Sequence, residues 1–179
     1  MKSSLFILCS SLLVIACNSV EKHREAIDKL VAGWDSVHEK LIHFESTIAD
    51  EVVHWQSMYD GTYMSEAAEA KLAPAVRANA DSLKAQCQGH GIRHRAIQQE
   101  VNTFMESWKK QALDVKALDE GLKKGAISAS QIAKMEDLFR TVADANTKLD
   151  AWQKQMQATK DECFETCRAY ATLVKEVNN

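Results

Sequence analysis

Apolar residues return at every seventh position through most of this chain. Stepping by seven from Val20 gives Ile27, Trp34, Leu41, Ile48 and Trp55 without a miss. A second stripe three residues on holds Leu30, Val37, Phe44 and Met58, with Glu51 the polar exception. The last third repeats the pattern: Met135, Val142, Leu149, Met156, Cys163, Tyr170 and Val177, flanked by Leu138, Ala145, Trp152 and Leu173. Two apolar positions per heptad, sustained this long, describe helices that pack side by side.

The middle segment carries a Gly89-His90-Gly91 sequence that could be taken for a turn. Yet Val76, Leu83, His90, Ile97, Phe104 and Leu118 keep one seven-residue phase across it, with Gln111 polar, and Ala80, Cys87, His94, Val101, Trp108, Val115 and Leu122 line the adjoining stripe. A turn would shift the phase, so the pattern predicts one helix weakened by two glycines, at ~1 kcal/mol each relative to alanine. The ends are marked as well. Gly61 stops the first helix, Pro74 suits a first helical turn, Gly125 reads as a C-cap, and Ser128 with Gln131 forms a capping box. The predicted helices are 20–59, 74–123 and 128–177, with a connector at 60–73 whose Ser65-Glu-Ala-Ala-Glu stretch can form a short helix. No run alternates apolar and polar residues as a half-buried strand requires. The fold class is all-α, and the expected architecture is an elongated antiparallel three-helix bundle with coiled-coil-like heptad packing. If the second hairpin turns near residue 125, position n on the second helix faces roughly 250 − n on the third, which sets Cys87 opposite Cys163.

Composition agrees with this class: the chain has one proline and six glycines. A formal charge of −3 gives no basic footprint for nucleic acid.

The first residues follow a different logic. Lys2 precedes an apolar run from Leu5 to Ala16 that is broken by Ser10 and Ser11, too short for the ~20 apolar residues a bilayer span needs. A basic start, a short apolar middle and small residues at its end lay out a secretory signal peptide. Val14-Ile15-Ala16-Cys17 resembles the lipobox of bacterial lipoproteins. The resemblance covers the leader alone, and it implies a cleaved signal peptide at 1–16, a diacylglycerol on Cys17 with palmitate-type chains, and a short spacer at 17–19 ahead of the bundle at 20–179. Two or three acyl chains anchor stably where one does not. Asn18, in the place where enteric lipoproteins retained at the inner membrane carry aspartate, favours an outer-membrane anchor facing the periplasm. No family is resembled by the helical domain itself.

The remaining chemistry is a cysteine–histidine cluster. The mature chain keeps Cys87, Cys163 and Cys167 besides Cys17, and exported chains meet an oxidising environment. The register predicts a Cys87–Cys163 disulfide, with Cys167 as the alternative partner and one thiol left over. Two other readings stand beside it: inert thiols, or a metal or haem site. Cys87, His90 and His94 share a helical face, and Cys163 and Cys167 would lie across from them; sulfur and imidazole ligands of this kind suit zinc or copper. There is no CxxCH for covalent haem. His23, His38, His43 and His54 are scattered, and the four tryptophans sit on the heptad stripes as core. No GxSxG, Walker, GxGxxG or HExxH pattern occurs, so no active site is nominated and no cofactor beyond the lipid is expected.

The functional expectation is a non-enzymatic, membrane-anchored envelope lipoprotein, a helical interaction or spacer module with a protein partner. A metal or haem carrier and a periplasmic chaperone or stress-sensing protein are the alternatives. Apolar stripes on three helices also allow a homo-oligomer.

Overall fold

A computed structural model describes the backbone of residues 4–62 and 64–178 and the side chains of 20–62 and 64–178. The signal-peptide and lipidation readings, Cys17 included, lie outside the residues described to the side chain. The order of elements is α1 (Ser4–Asp60), α2 (Glu66–Ala70), α3 (Pro74–Lys123) and α4 (Ala129–Asn178). No strand occurs among the described residues. No helix there is long and apolar enough to cross a membrane.

Local chemistry fixes the helix ends. Ser65 caps α2, its side chain accepting from the Ala68 amide at 3.2 Å. At the end of α3, Gly125 takes φ +67°, a conformation that only glycine adopts without strain, and it lets the Ala126 amide reach back to the Gly121 carbonyl at 2.9 Å. Two residues later Ser128 and Gln131 close a reciprocal capping box, with Ser128 N–H donating to Gln131 Oε1 at 2.8 Å and Gln131 N–H to Ser128 Oγ at 3.2 Å. Pro74 opens α3, where its missing N–H costs nothing.

The long helices pass through two compact units. Unit one comprises Met1–Leu41 and Phe104–Lys148. Its core stacks Trp34 on Trp108, centroids 3.7 Å apart, above the buried Ile27, Leu30 and Val37. Asp114 meets Lys134 at 2.7 Å and the Ala117 carbonyl accepts from Gln131 at 3.0 Å, so α3 and α4 are antiparallel here. Unit two comprises Ile42–Thr103 and Leu149–Asn179. There Phe44 stacks on Trp152, Glu51 pairs with Lys160, Arg93 with Glu162, and Trp152 donates to Glu100 at 3.0 Å. In this unit, then, α1 runs parallel to α4 and α3 runs against both. The heptad stripes are the buried faces in both units: Val20, Ile27, Trp34, Leu41, Ile48 and Trp55 on α1, and Ala80, Cys87, His94, Val101, Trp108, Val115 and Leu122 on α3. Val76 departs from its stripe and is 37% exposed.

Gly91 is the position on which the packing of α1 against α3 turns. A Cβ there would fall 2.2 Å from the Trp55 ring, while one on Gly89 would meet nothing. Reading both glycines only as helix weak points misses this: Gly91 is the clearance that lets an indole lie flat on a helix backbone. The two alanine substitutions should therefore act in opposite directions. Gly89→Ala is expected to stabilise by about 1 kcal/mol through helix propensity. Gly91→Ala is expected to destabilise by about 2 kcal/mol, overpacking outweighing the same propensity gain. Denaturant midpoints on the oxidised protein measure both; a Gly91→Ala variant at least as stable as Gly89→Ala would refute the seating of Trp55.

Candidate functional site

Trp55 organises the site in unit two. It is 4% exposed, and its indole N–H donates to the Cys87 carbonyl at 2.8 Å. Tyr59, one turn on, stacks at 5.5 Å, and the Arg95 guanidinium lies 4.7 Å from the ring centroid, a cation–π geometry. Cys87, Cys163 and Cys167 form one buried cluster with Trp55, and Met58 packs against it.

Within that cluster Cys87 is bonded to Cys167, with Cα atoms 5.2 Å apart, and Cys163 is the free, buried thiol. This corrects the Cys87–Cys163 pairing drawn from the heptad register; the alternative partner is the one used. The reason lies in helix geometry. A heptad stripe drifts by ~20° per repeat around a straight α-helix. On α4 the buried positions at the far end are accordingly Thr159, Cys163, Cys167, Tyr170 and Val174 rather than a strict seven-step series. Two successive four-residue steps bring Cys167 inward. Its Sγ sits 3.4 Å from that of Cys163, so the leftover thiol lies directly beside the crosslink.

The two histidines of α3 diverge. His90 is 4% exposed, and its Nδ1 meets Arg93, which also donates to Glu162 at 2.6 Å. A guanidinium can only donate, so Nδ1 accepts, the proton of the neutral ring sits on Nε2, and Nε2 has no partner among the described residues. His94 is 1% exposed, and its Nδ1 is likewise unpartnered. The disulfide takes two sulfurs of the suggested metal set Cys87, His90, His94, Cys163 and Cys167. Among the described residues no group of three or more His, Cys, Asp or Glu is disposed to hold a metal ion. The five residues are neighbours that do not converge as ligands.

Burial dominates the electrostatics. It holds His90 below the usual 6.5, helped by Arg93 and opposed by Glu162. It lowers His94 too, against Glu51 and with His90, Arg93 and Lys160. It pushes the Cys163 thiol up from 9.0, Glu51 adding to the shift and Arg93 opposing it. Cys163 is thus a protonated thiol at neutral pH, the opposite of an activated nucleophile.

A cleft of about 360 Å³ opens beside the cluster. Trp55, Met58, Cys163 and Phe164 give it apolar surface, His94 reaches it from α3, and Glu51, Lys160, Asp161 and Glu165 supply its charges. Sequence reasoning did not assemble this cleft, although one of its signals was visible. Glu51 is the polar interruption of the α1 stripe, and its side chain, only 14% exposed, turns out to pair with Lys160.

Two predictions follow from this geometry. Denatured without reductant, the oxidised chain 20–179 should titrate one thiol, and three after reduction; peptide mapping should find the bond in Cys87–Cys167. Reduction should cost about 4 kcal/mol, the order given by loop-closure entropy for a bond spanning 80 residues. For pH, both histidines are neutral in folded and unfolded chains well above 6.5. Below it the unfolded chain takes up protons that the folded His90 and His94 refuse, so stability falls as pH drops through 6.5 toward their lowered values. The slope approaches ~1.4 kcal/mol per pH unit for each histidine. Equilibrium unfolding between pH 8 and 5 measures it, and His90→Gln with His94→Gln should flatten the curve. No family model matches this chain, and no curated protein or solved structure matches it either.

Proposed function

We propose that this chain is a bacterial envelope lipoprotein whose helical part works without catalysis, as an interaction module held at a membrane by lipid on Cys17. The observation that carries the reading is Val14-Ile15-Ala16-Cys17 behind a short apolar run that begins after Lys2. Two features of unit two support it. A crosslink between Cys87 and Cys167 suits a chain that folds outside the reducing cytoplasm. The free thiol of Cys163 is held protonated instead of being paired with a base, which favours binding over nucleophilic chemistry. A protein partner would meet the helical surface, and within unit two Val53, Ile92 and Phe164 are exposed large apolar residues available to it, at 58–67% exposure.

The anchor is tested by metabolic labelling with a radiolabelled fatty acid and by fractionation. The wild-type chain should carry label and partition with outer membranes, while Cys17→Ser should lose the label and appear in the soluble periplasmic fraction. Unlabelled wild-type protein, or a Cys17→Ser chain that stays with membranes to the same extent, would sink the lipoprotein reading. Crosslinking in intact envelopes, followed by mass spectrometry of adducts at Val53, Ile92 and Phe164, tests the interaction module separately.

A further inference from the structure

Three sulfurs share one buried cluster, and a single bond joins two of them. The free thiol of Cys163 stands 3.4 Å from the sulfur of Cys167, so no side chain separates it from the crosslink. Cys163 and Cys167 lie about one turn apart on α4, and both are buried. Two separate signals on α4 name a partner for Cys87. The strict seven-step series from Met135 to Val177 runs through Cys163, whereas the four-residue steps of the buried face reach Cys167. Each cysteine thus belongs to a register in which it meets Cys87, and the two registers differ by about one turn of helix.

We infer that Cys87, Cys163 and Cys167 form a disulfide relay, in which one crosslink between α3 and α4 alternates between two partners on α4. The relay runs in two exchanges. Cys163 gives its proton to water, and its thiolate attacks the adjacent Cys167 sulfur. A Cys163–Cys167 bond forms, the Cys87–Cys167 bond breaks, and its electron pair leaves on Cys87. This intermediate is strained: side chains four apart on a helix hold their Cβ atoms ~5–6 Å apart, against ~3.5–4.5 Å in a disulfide. The Cys87 thiolate then attacks Cys163, closing Cys87–Cys163 and expelling Cys167, which takes up the proton. One disulfide and one thiol are present at the start and the end, so no oxidant or reductant is consumed. In the second state α4 is displaced along α3 by up to one turn, and the sulfur that lines the cleft is bonded. Burial and Glu51 of α1 hold the Cys163 proton and Arg93 of α3 opposes them, while His54, His94, Lys160, Asp161 and Glu165 line the same cleft. The relay is therefore slow at neutral pH and quickens as the thiolate forms. It holds whether or not Cys17 is lipidated.

The test uses the mature chain carrying Cys17→Ser, purified without reductant at pH 6. After transfer to pH 9 with oxygen excluded, samples are quenched in acid, alkylated in denaturant and mapped by mass spectrometry. The Cys87–Cys163 bond should appear in about 1–10% of chains, the usual share of an alternative state, at a rate independent of protein concentration. That rate should rise about tenfold per pH unit while the thiol is mostly protonated. It should stay level across denaturant concentrations below the unfolding transition. Cys163→Ser should keep the Cys87–Cys167 bond alone through the same incubation. Cys167→Ser, oxidised from the reduced chain, should close Cys87–Cys163 and unfold at a higher denaturant concentration than Cys87→Ser. A wild-type chain that keeps only the Cys87–Cys167 bond at pH 9, where the same chain unfolded in guanidinium chloride scrambles, would overturn the relay. So would exchange that quickens from the first addition of denaturant, or a Cys167→Ser chain whose two thiols stay free.

Discussion

Unit two depends on one close approach: the indole of Trp55 lying against the backbone of α3 at Gly91. A side chain one methyl group larger at that position could not coexist with it. The approach brings the indole N–H to the Cys87 carbonyl, which sets the depth and rotation of α1 against α3. The turns of α3 on either side of Gly91 present Cys87 to α4 and His94 to the cleft. Crosslink, free thiol and buried histidine are thus placed by a glycine that contributes no side chain of its own. Its helix-weakening cost is offset by the burial of a large aromatic surface and a satisfied N–H.

The heptad pattern carried the fold class because its information is redundant. Each α1 stripe residue from Val20 to Trp55 repeats the same instruction, and a stray polar residue cannot overturn it. Gly89-His90-Gly91 shows the same strength in reverse: phase across the segment outweighed two helix-weakening residues, and α3 is continuous there. Register is a different kind of quantity. It depends on the angular drift of a straight helix accumulated over many turns, and an error of one turn exchanges Cys163 for Cys167. The contacts display that drift directly, with Asp114 opposite Lys134 in unit one and Cys87 opposite Cys167 in unit two.

The cleft was illegible for another reason. Its lining comes from α1, α3 and α4, and no single segment holds enough of it to form a motif. What the sequence did hold were anomalies: Glu51 on an apolar stripe, and two histidines on core positions of α3. Each is a local violation of the pattern that stabilises the bundle, and each proved to sit around the cysteine cluster. Polar residues retained on a core face are where the demands of packing yield to something else.

The Cys87–Cys167 bond has a topological consequence. It closes a ring from Cys87 to the end of α3, through the Gly125 turn and most of α4, and α1 lies outside that ring. Among the described residues of unit two, α1 is joined to its neighbours by packing, the Trp55 and Tyr59 hydrogen bonds to Cys87 and Gln88, the Arg95 contact with the Trp55 ring and the Glu51–Lys160 pair, with covalent continuity through the connector after Asp60. A pull applied at the start of α1 would thus be carried in shear along side chains, while α3 and α4 stayed stapled together. Within unit two, α1 is the long helix that can be peeled, while α3 and α4 cannot part.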